Sequence, residues 1–200
     1  MLNKVEKAID DLSQGKMIIV TDDITRENEG DIIILAEKIT EEIMTFIIKK
    51  ASGLVCLAIN SELAKKLKLP QMTIHNEESK RTAFTVSIDS KNGITTGISA
   101  ADRVKTTLDV VRSNAVAEDL VRPGHMFPVV ARDGGLKERR GHTEAAVTLA
   151  KLANSSPAAI ICEIIGDDGK MLRGKELKNF ADINQLSFIS IEELVNFIKD

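Results

Sequence analysis

The stretch "KMIIVTDDITRENEGDIIILAE", residues 16–37, decides how the chain is read. Its two apolar, β-branched runs, "MIIV" and "IIIL", have the length and composition of buried strands. Between them, positions 22–31 set six ionisable side chains into ten residues: Asp22, Asp23, Arg26, Glu27, Glu29 and Asp31. A solvated turn needs about two or three polar residues, so this loop carries more charge than turning requires.

Outward from this pair of strands, helical and strand patterns alternate. Residues 4–13 place Val5, Ala8, Ile9 and Leu12 at helical spacing, closed by Gly15. "TEEIMTFIIKKA" (40–51) predicts an amphipathic helix capped by Thr40, "GLVCLAI" (53–59) a strand, and "SELAKKLKL" (61–69) a helix stopped by Pro70. Residues 70–81 read as an exposed loop and "TAFTVSID" (82–89) as an alternating strand. A glycine-marked turn then opens a helix whose start, "SAAD" (99–102), resembles a capping box. "RPGHMFPVVA" (122–131) predicts a turn followed by a strand, and 134–141 a second charged loop. A helix at 142–153, a strand at 157–166, a turn at 167–170, a helix at 175–185, a strand at 187–191 and a helix at 192–199 complete the pattern. The alternation predicts an α/β fold, one layered domain spanning residues 1–200.

The bulk properties narrow the function. Two hundred residues with 43% hydrophobic and 28% charged content can bury a core without disulfides. A net charge of −3 and a pI near 5.7 give no basic field to draw nucleic acid or anionic membrane. The aromatic content is 3%, all Phe, which leaves little for stacking bases. "MLNKVEKAIDDLSQGK" lacks an apolar signal segment, and no run of about 18 apolar residues occurs. Cys56 and Cys162 each sit inside an apolar run and read as buried, reduced thiols of a cytoplasmic protein.

Three loops carry candidate chemistry. If "RENEGD" is extended, Glu27, Glu29 and Asp31 share one side, and carboxylates that close need a cation among them. That cation is Arg26, a divalent ion, or both; the alternative is a solvated loop capped by Arg26. "RRGHTEA" (139–145) sets His142 at a helix start behind Arg139, Arg140 and Gly141, suited to an anion or to metal ligation, or simply to capping through His142 or Thr143. "RPGHMFP" fixes His125 between Pro123 and Pro128 as either a general base or a turn-bonding side chain. "GITTGISAAD" (93–102) is a candidate phosphate cradle. Glu163, inside "AIICEIIG", is a carboxylate among apolar neighbours, expected to be desolvated as a buried partner or a functional acid. His75 and "GDDGK" are assigned nothing.

Together, "DDITRENEGD", "TAFTVSID", "GITTGISAADR", "RPGHMFP", "GHTEA" and "CEII" resemble the 3,4-dihydroxy-2-butanone 4-phosphate synthase family of riboflavin biosynthesis, over about residues 5–198. The resemblance implies a lyase that converts D-ribulose 5-phosphate into L-3,4-dihydroxy-2-butanone 4-phosphate and formate. It implies a mixed β-sheet with flanking helices and a homodimer with its sites at the subunit interface. It also implies Mg²⁺, or Mn²⁺ in its place, and no organic cofactor. Glu27 and His142 are then the metal ligands, with Arg26, Glu27, Asp31, Thr96, Arg139, Arg140, Gly141, His142, Thr143 and Glu163 holding substrate. His125 and Glu163 are the implied catalytic pair. Arg140 stands where the family often has a second glycine. Bifunctional relatives carry a cysteine-rich zinc domain that this chain does not contain, so a monofunctional enzyme is expected. A nucleotide- or RNA-binding module is the competing class, opposed by the acidic pI and the absence of Trp and Tyr.

Overall fold

The structure, a computed structural model, describes residues 3–199. Seven strands form one mixed sheet: β1 (Ile18–Thr21), β2 (Gly30–Leu35), β3 (Cys56–Ile59), β4 (Ile88–Ser90), β5 (Leu120–Val130), β6 (Ala158–Glu163) and β7 (Ser187–Ser190). Their order across the sheet is β4-β5-β3-β6-β2-β1-β7. The β5–β3 and β1–β7 pairs are parallel and the others antiparallel. The central strands are buried at almost every position, which is why they read as continuous apolar runs instead of alternating.

Helices cover both faces. Helices α1 (Lys4–Ser13), α5 (His142–Leu152) and α7 (Ile191–Lys199) pack on the face carrying Ile33, Leu35, Ala58 and Ile161. Helices α2 (Glu41–Phe46), α3 (Ser61–Lys66), α4 (Ala100–Val111) and α6 (Gly174–Ile183) pack on the face carrying Ile32, Ile34, Leu57 and Ile160. The expected caps form: the Thr40 hydroxyl accepts from Ile43 N and Ser99 Oγ from Asp102 N. Gly15 ends α1 at φ +81°. No helix of the described residues is long and apolar enough to cross a membrane.

Several boundaries differ from the sequence pattern. The helix expected over 40–51 is α only to Phe46; Ile47–Ala51 form a π turn ended by Ser52 at φ +62°. The strand expected at 82–89 shrinks to Ile88–Ser90, with isolated bridges at Phe84 and Thr85. The partner strand explains this: Thr85 N bonds the Pro128 carbonyl, but Pro128 has no N–H to return, so the ladder lapses there. The turn expected at Arg122–Gly124 lies within β5 instead. A Cβ on Gly124 would overlap the Ile88–Asp89 backbone, so glycine is what lets the two strands close up.

Candidate functional site

The β1–β2 connection is organised by Asp22. Its buried carboxylate accepts from Glu29 N at 2.9 Å, Glu27 N at 3.1 Å and Arg26 Nη1 at 2.8 Å. Asp23 forms a local turn by accepting from Thr25 N at 2.7 Å, and Asn28 adopts φ +55°. The segment is therefore coiled, not extended, and Glu27, Glu29 and Asp31 do not form the simple stripe expected from alternation. They converge all the same: the coil directs Glu27 and Glu29, and strand β2 directs Asp31, into one cleft.

Side-chain alternation supplies the cleft floor. Asp31 lies opposite Glu163 across the β2–β6 pair, on the face that α5 covers. Cys56 and Ile161 continue that face, and Thr82, Phe84 and Val129 close it from the other side. The cavity measures about 180 Å³ and is walled by Arg26, Glu27, Glu29, Arg139, His142 and Thr143 as well.

Helix α5 delivers the opposite wall. Gly141 is its N-cap, and His142 and Thr143 occupy its buried first turn and line the cleft, which brings the helix N-terminus with its free N–H groups to the site. A Cβ on Gly141 would overlap Arg139 Nη1 and stand 2.8 Å from Glu144 Oε2. Arg139 donates to Glu144 Oε2 at 2.7 Å and to Thr82 Oγ1 at 3.0 Å, while Glu144 Oε1 accepts from Arg132 N. Removing one partner of such a buried pair costs about 3–5 kcal/mol, so Arg139 is a structural post as well as a wall. Of its five N–H groups, these contacts and the bond to the Lys80 carbonyl leave some free for an anion. Arg140 is exposed and has no positive φ, so the turn does not require a glycine at this position.

The electrostatics are those of a cation site. Ligand atoms of Asp22, Glu27 and His142 all lie within 4.8 Å of one another. His142 Nδ1 is 3.8 Å from Glu27 Oε2 and 3.6 Å from Asp31 Oδ1. Both His142 Nε2 and Asp31 Oδ1 are buried with no hydrogen-bond partner among the described residues. Burial pushes Asp31 well above the ordinary carboxylate range, reinforced by Glu163 and Glu27, and burial pushes His142 down. Meanwhile Arg26 Nη1 bridges Asp22 and Glu27, at 2.8 and 2.5 Å. The Arg26 guanidinium thus neutralises Asp22 and Glu27, while Asp31 is left with an unpartnered oxygen among the described residues. Hard oxygen donors with one imidazole fit a divalent ion such as Mg²⁺ or Mn²⁺.

Glu163 is only partly buried, with Oε2 accepting from Leu54 N at 2.9 Å, so the fully desolvated acid is Asp31 and not Glu163 as expected. Glu29 is neutralised by Arg173 at 2.6 Å. Four predicted site residues are not among the cleft walls: Arg140 and Gly141 stand just outside it before α5, and His125 and Thr96 lie away from it. His125 is exposed on β5, and Thr96 is exposed in the turn before α4. His125 Nδ1 is 2.7 Å from Asp89 Oδ2.

Sequence reasoning assigned no site role to Asp22, Lys80, Thr82, Asp89 or Cys56. Asp22 carried a signal, an acid at a strand end before a charged loop. Lys80 donates to the Arg26 carbonyl from the loop read as merely exposed, and no local pattern marks it. Cys56 and Cys162 are both buried and free, as expected.

An α/β scaffold with an acidic, imidazole-bearing cleft at a helix N-terminus defines a class: enzymes with a site fit for a divalent ion. A family model described as 3,4-dihydroxy-2-butanone 4-phosphate synthase matches residues 6–197. A 3,4-dihydroxy-2-butanone 4-phosphate synthase of Chromobacterium violaceum is 45% identical over 98% of this chain and 93% of its own length. A crystal structure of such a synthase in complex with two magnesium ions superposes with a TM-score of 0.94 at 38% identity, covering 99% of this chain and 97% of that one. The two-domain synthase RibBX of A. baumannii gives 0.94 at 42% identity, and the chain spans 98% of itself but 57% of that protein. The chain belongs to the 3,4-dihydroxy-2-butanone 4-phosphate synthase family.

Proposed function

We propose that the chain converts D-ribulose 5-phosphate into L-3,4-dihydroxy-2-butanone 4-phosphate and formate with a divalent ion, Mg²⁺ or Mn²⁺, and no organic cofactor. The observation that carries this is the convergence of Asp22, Glu27 and His142 beside uncompensated Asp31. Glu27 and His142 would hold the ion, with Asp22 as a third ligand. The ion, when bound, supplies Lewis-acid stabilisation to oxygens that develop charge. Arg26, Glu27, Asp31, Arg139, Gly141, His142, Thr143 and Glu163 hold the substrate around it, the α5 N-terminus and Arg139 taking the phosphate. Exposed Arg140, beside Asp23, adds positive charge at the entrance. The reaction removes the C3 proton and the C1 hydroxyl as water, shifts the carbon skeleton, and takes up one water at C4 so that C4 leaves as formate. Glu163 Oε2 is occupied by Leu54 N, which leaves Oε1 to exchange a proton.

His125 and Thr96 belong to the same site through a second copy of the chain. Ile98 and Val121, 53% and 40% exposed, flank them and suit a contact between copies. Release of formate from ribulose 5-phosphate with Mg²⁺, abolished by EDTA, tests the reading; full turnover by rigorously metal-free protein would overturn it.

A further inference from the structure

We infer that Arg173 is a positioning residue: it holds Glu29 as a wall of the cleft and balances that carboxylate's charge beside the cation site. The inference rests on the functional reading above and brings in α6, an element which that reading does not use. Arg173 Nη2 donates to Glu29 Oε1 at 2.6 Å across 144 residues of sequence. Glu29 lines the cleft beside Glu27, and its side chain is only 19% exposed. Arg173 takes Oε1, which leaves Oε2 to accept from a substrate hydroxyl or an ion-bound water.

The local sequence explains how the arginine arrives there. Strand β6 ends at Glu163, and the chain turns back at once through the Ile165–Met171 bridge, with Leu172 N donating to the Ile164 carbonyl at 2.9 Å. Arg173 and Leu177 stand four apart, over the same side of the N-terminal turn of α6. Leu177 seats that side on Gly30, where an added Cβ would overlap Leu177 Cδ2. Arg173 then falls over Glu29, the residue before Gly30. Arginine is a poor choice for the helix itself. It occupies the N-cap, makes no capping bond from its side chain, and puts a cation at the positive end of the helix dipole. A half-exposed ion pair contributes little to stability, so neither the helix nor the fold calls for this residue. The cleft does.

Arg173→Met tests this in the full chain, by calorimetric Mg²⁺ binding beside formate kinetics. Removing a cation next to the acidic cluster should tighten Mg²⁺ binding by roughly threefold or more. Over the same change kcat should fall by roughly tenfold, because Glu29 is no longer held. Glu29→Gln should weaken Mg²⁺ binding instead, since Arg173 is then left unbalanced. The double variant loses both charges together, so its Mg²⁺ affinity should return close to the parental value. Its kcat should fall no further than in Glu29→Gln alone. Arg173→Lys should restore most of both properties, because one N–H donor suffices for the single contact. The thermal midpoint of Arg173→Met should barely move; a large drop would assign Arg173 to the fold and overturn the inference. Parental Mg²⁺ affinity and kcat in Arg173→Met would overturn it too, as would an undiminished loss of kcat from Arg173→Met in the Glu29→Gln background. A parent protein that shows this binding cycle without producing formate would instead defeat the functional reading and leave the role of Arg173 standing.

Discussion

Asp31 and Glu163 are cross-strand partners in the β2–β6 pair, with both carboxyl groups on the face that lines the cleft. Directly opposed like charges destabilise a sheet, and here one of them is fully buried with an unpartnered oxygen. Asp31 is therefore a place where stability is given up for function. Its carboxyl is raised, so in metal-free protein its ionisation opposes folding above the unfolded pKa of about 3.9, increasingly as pH climbs towards the folded value. Asp31→Asn should remove that opposition. The thermal midpoint of the metal-free variant should match the parent near pH 4 and exceed it by a margin that grows as the pH is raised, while turnover falls. An equal midpoint at pH 8 would show that Asp31 is not destabilising.

The cation cluster predicts a ligand-dependent stability. Binding to the folded chain alone contributes about 2.7 kcal/mol when the ion is at about 100 times its Kd. Mg²⁺ or Mn²⁺ should therefore raise the thermal midpoint of the parent protein and leave Glu27→Gln and His142→Ala almost unmoved. Both variants should stay folded and lose most turnover, since Glu27 lies in an open loop that contributes little packing. Asp22→Asn should lose affinity and also loosen the loop, because its carboxylate anchors three donors. Calorimetric Mg²⁺ binding of parental strength in Glu27→Gln would remove it from the ligand set.

Far from the cleft, Asp11 ties α1 to β7. Desolvation alone would raise its carboxyl, but hydrogen bonds from Lys7, Ser187 and Lys16 outweigh it and hold it at about 2. A depressed pKa contributes stability that is present above the unfolded value and lost as pH falls through the folded one. Both lysines are largely exposed, so screening reduces the contribution to about 1 kcal/mol. Urea unfolding of Asp11→Asn should show that deficit at pH 7, shrinking as pH falls through about 2 and gone only below it; a deficit independent of pH would assign it to packing.

Much of this was legible because the central strands are short apolar runs and the helices have strong caps. "IIIL" and "AIIC" became neighbours as buried strands do, and with them Asp31 and Glu163 met. The failures have local causes. Alternation placed Glu27, Glu29 and Asp31 correctly in one cleft for the wrong reason, since Asn28 at φ +55° breaks the extended run. The strand at 82–89 shrank because a proline faces it on β5. Asp89 was invisible because its partner lies 36 residues away, and spacing of that size carries no local period.

The position of His125 outside the cleft that holds Glu163 leads to a test of how the site is assembled. If one chain supplies Glu27, His142 and Glu163 and its partner supplies His125 and Thr96, neither His125→Ser nor Glu163→Gln can form an intact site with itself. Each variant alone should lose roughly 10²-fold or more in kcat, with substrate affinity by calorimetry little changed, because both act on protons. Mixed in equal amounts and allowed to exchange, half the dimers become heterodimers. Each heterodimer then holds one doubly altered site and one intact site, so about a quarter of the parental activity should return in a twofold-symmetric assembly. The protein should sediment at about twice its 21.9 kDa mass. A mixture that stays as inactive as its components, after subunit exchange has been verified by mass tagging, would place His125 and Glu163 in a site formed by a single chain.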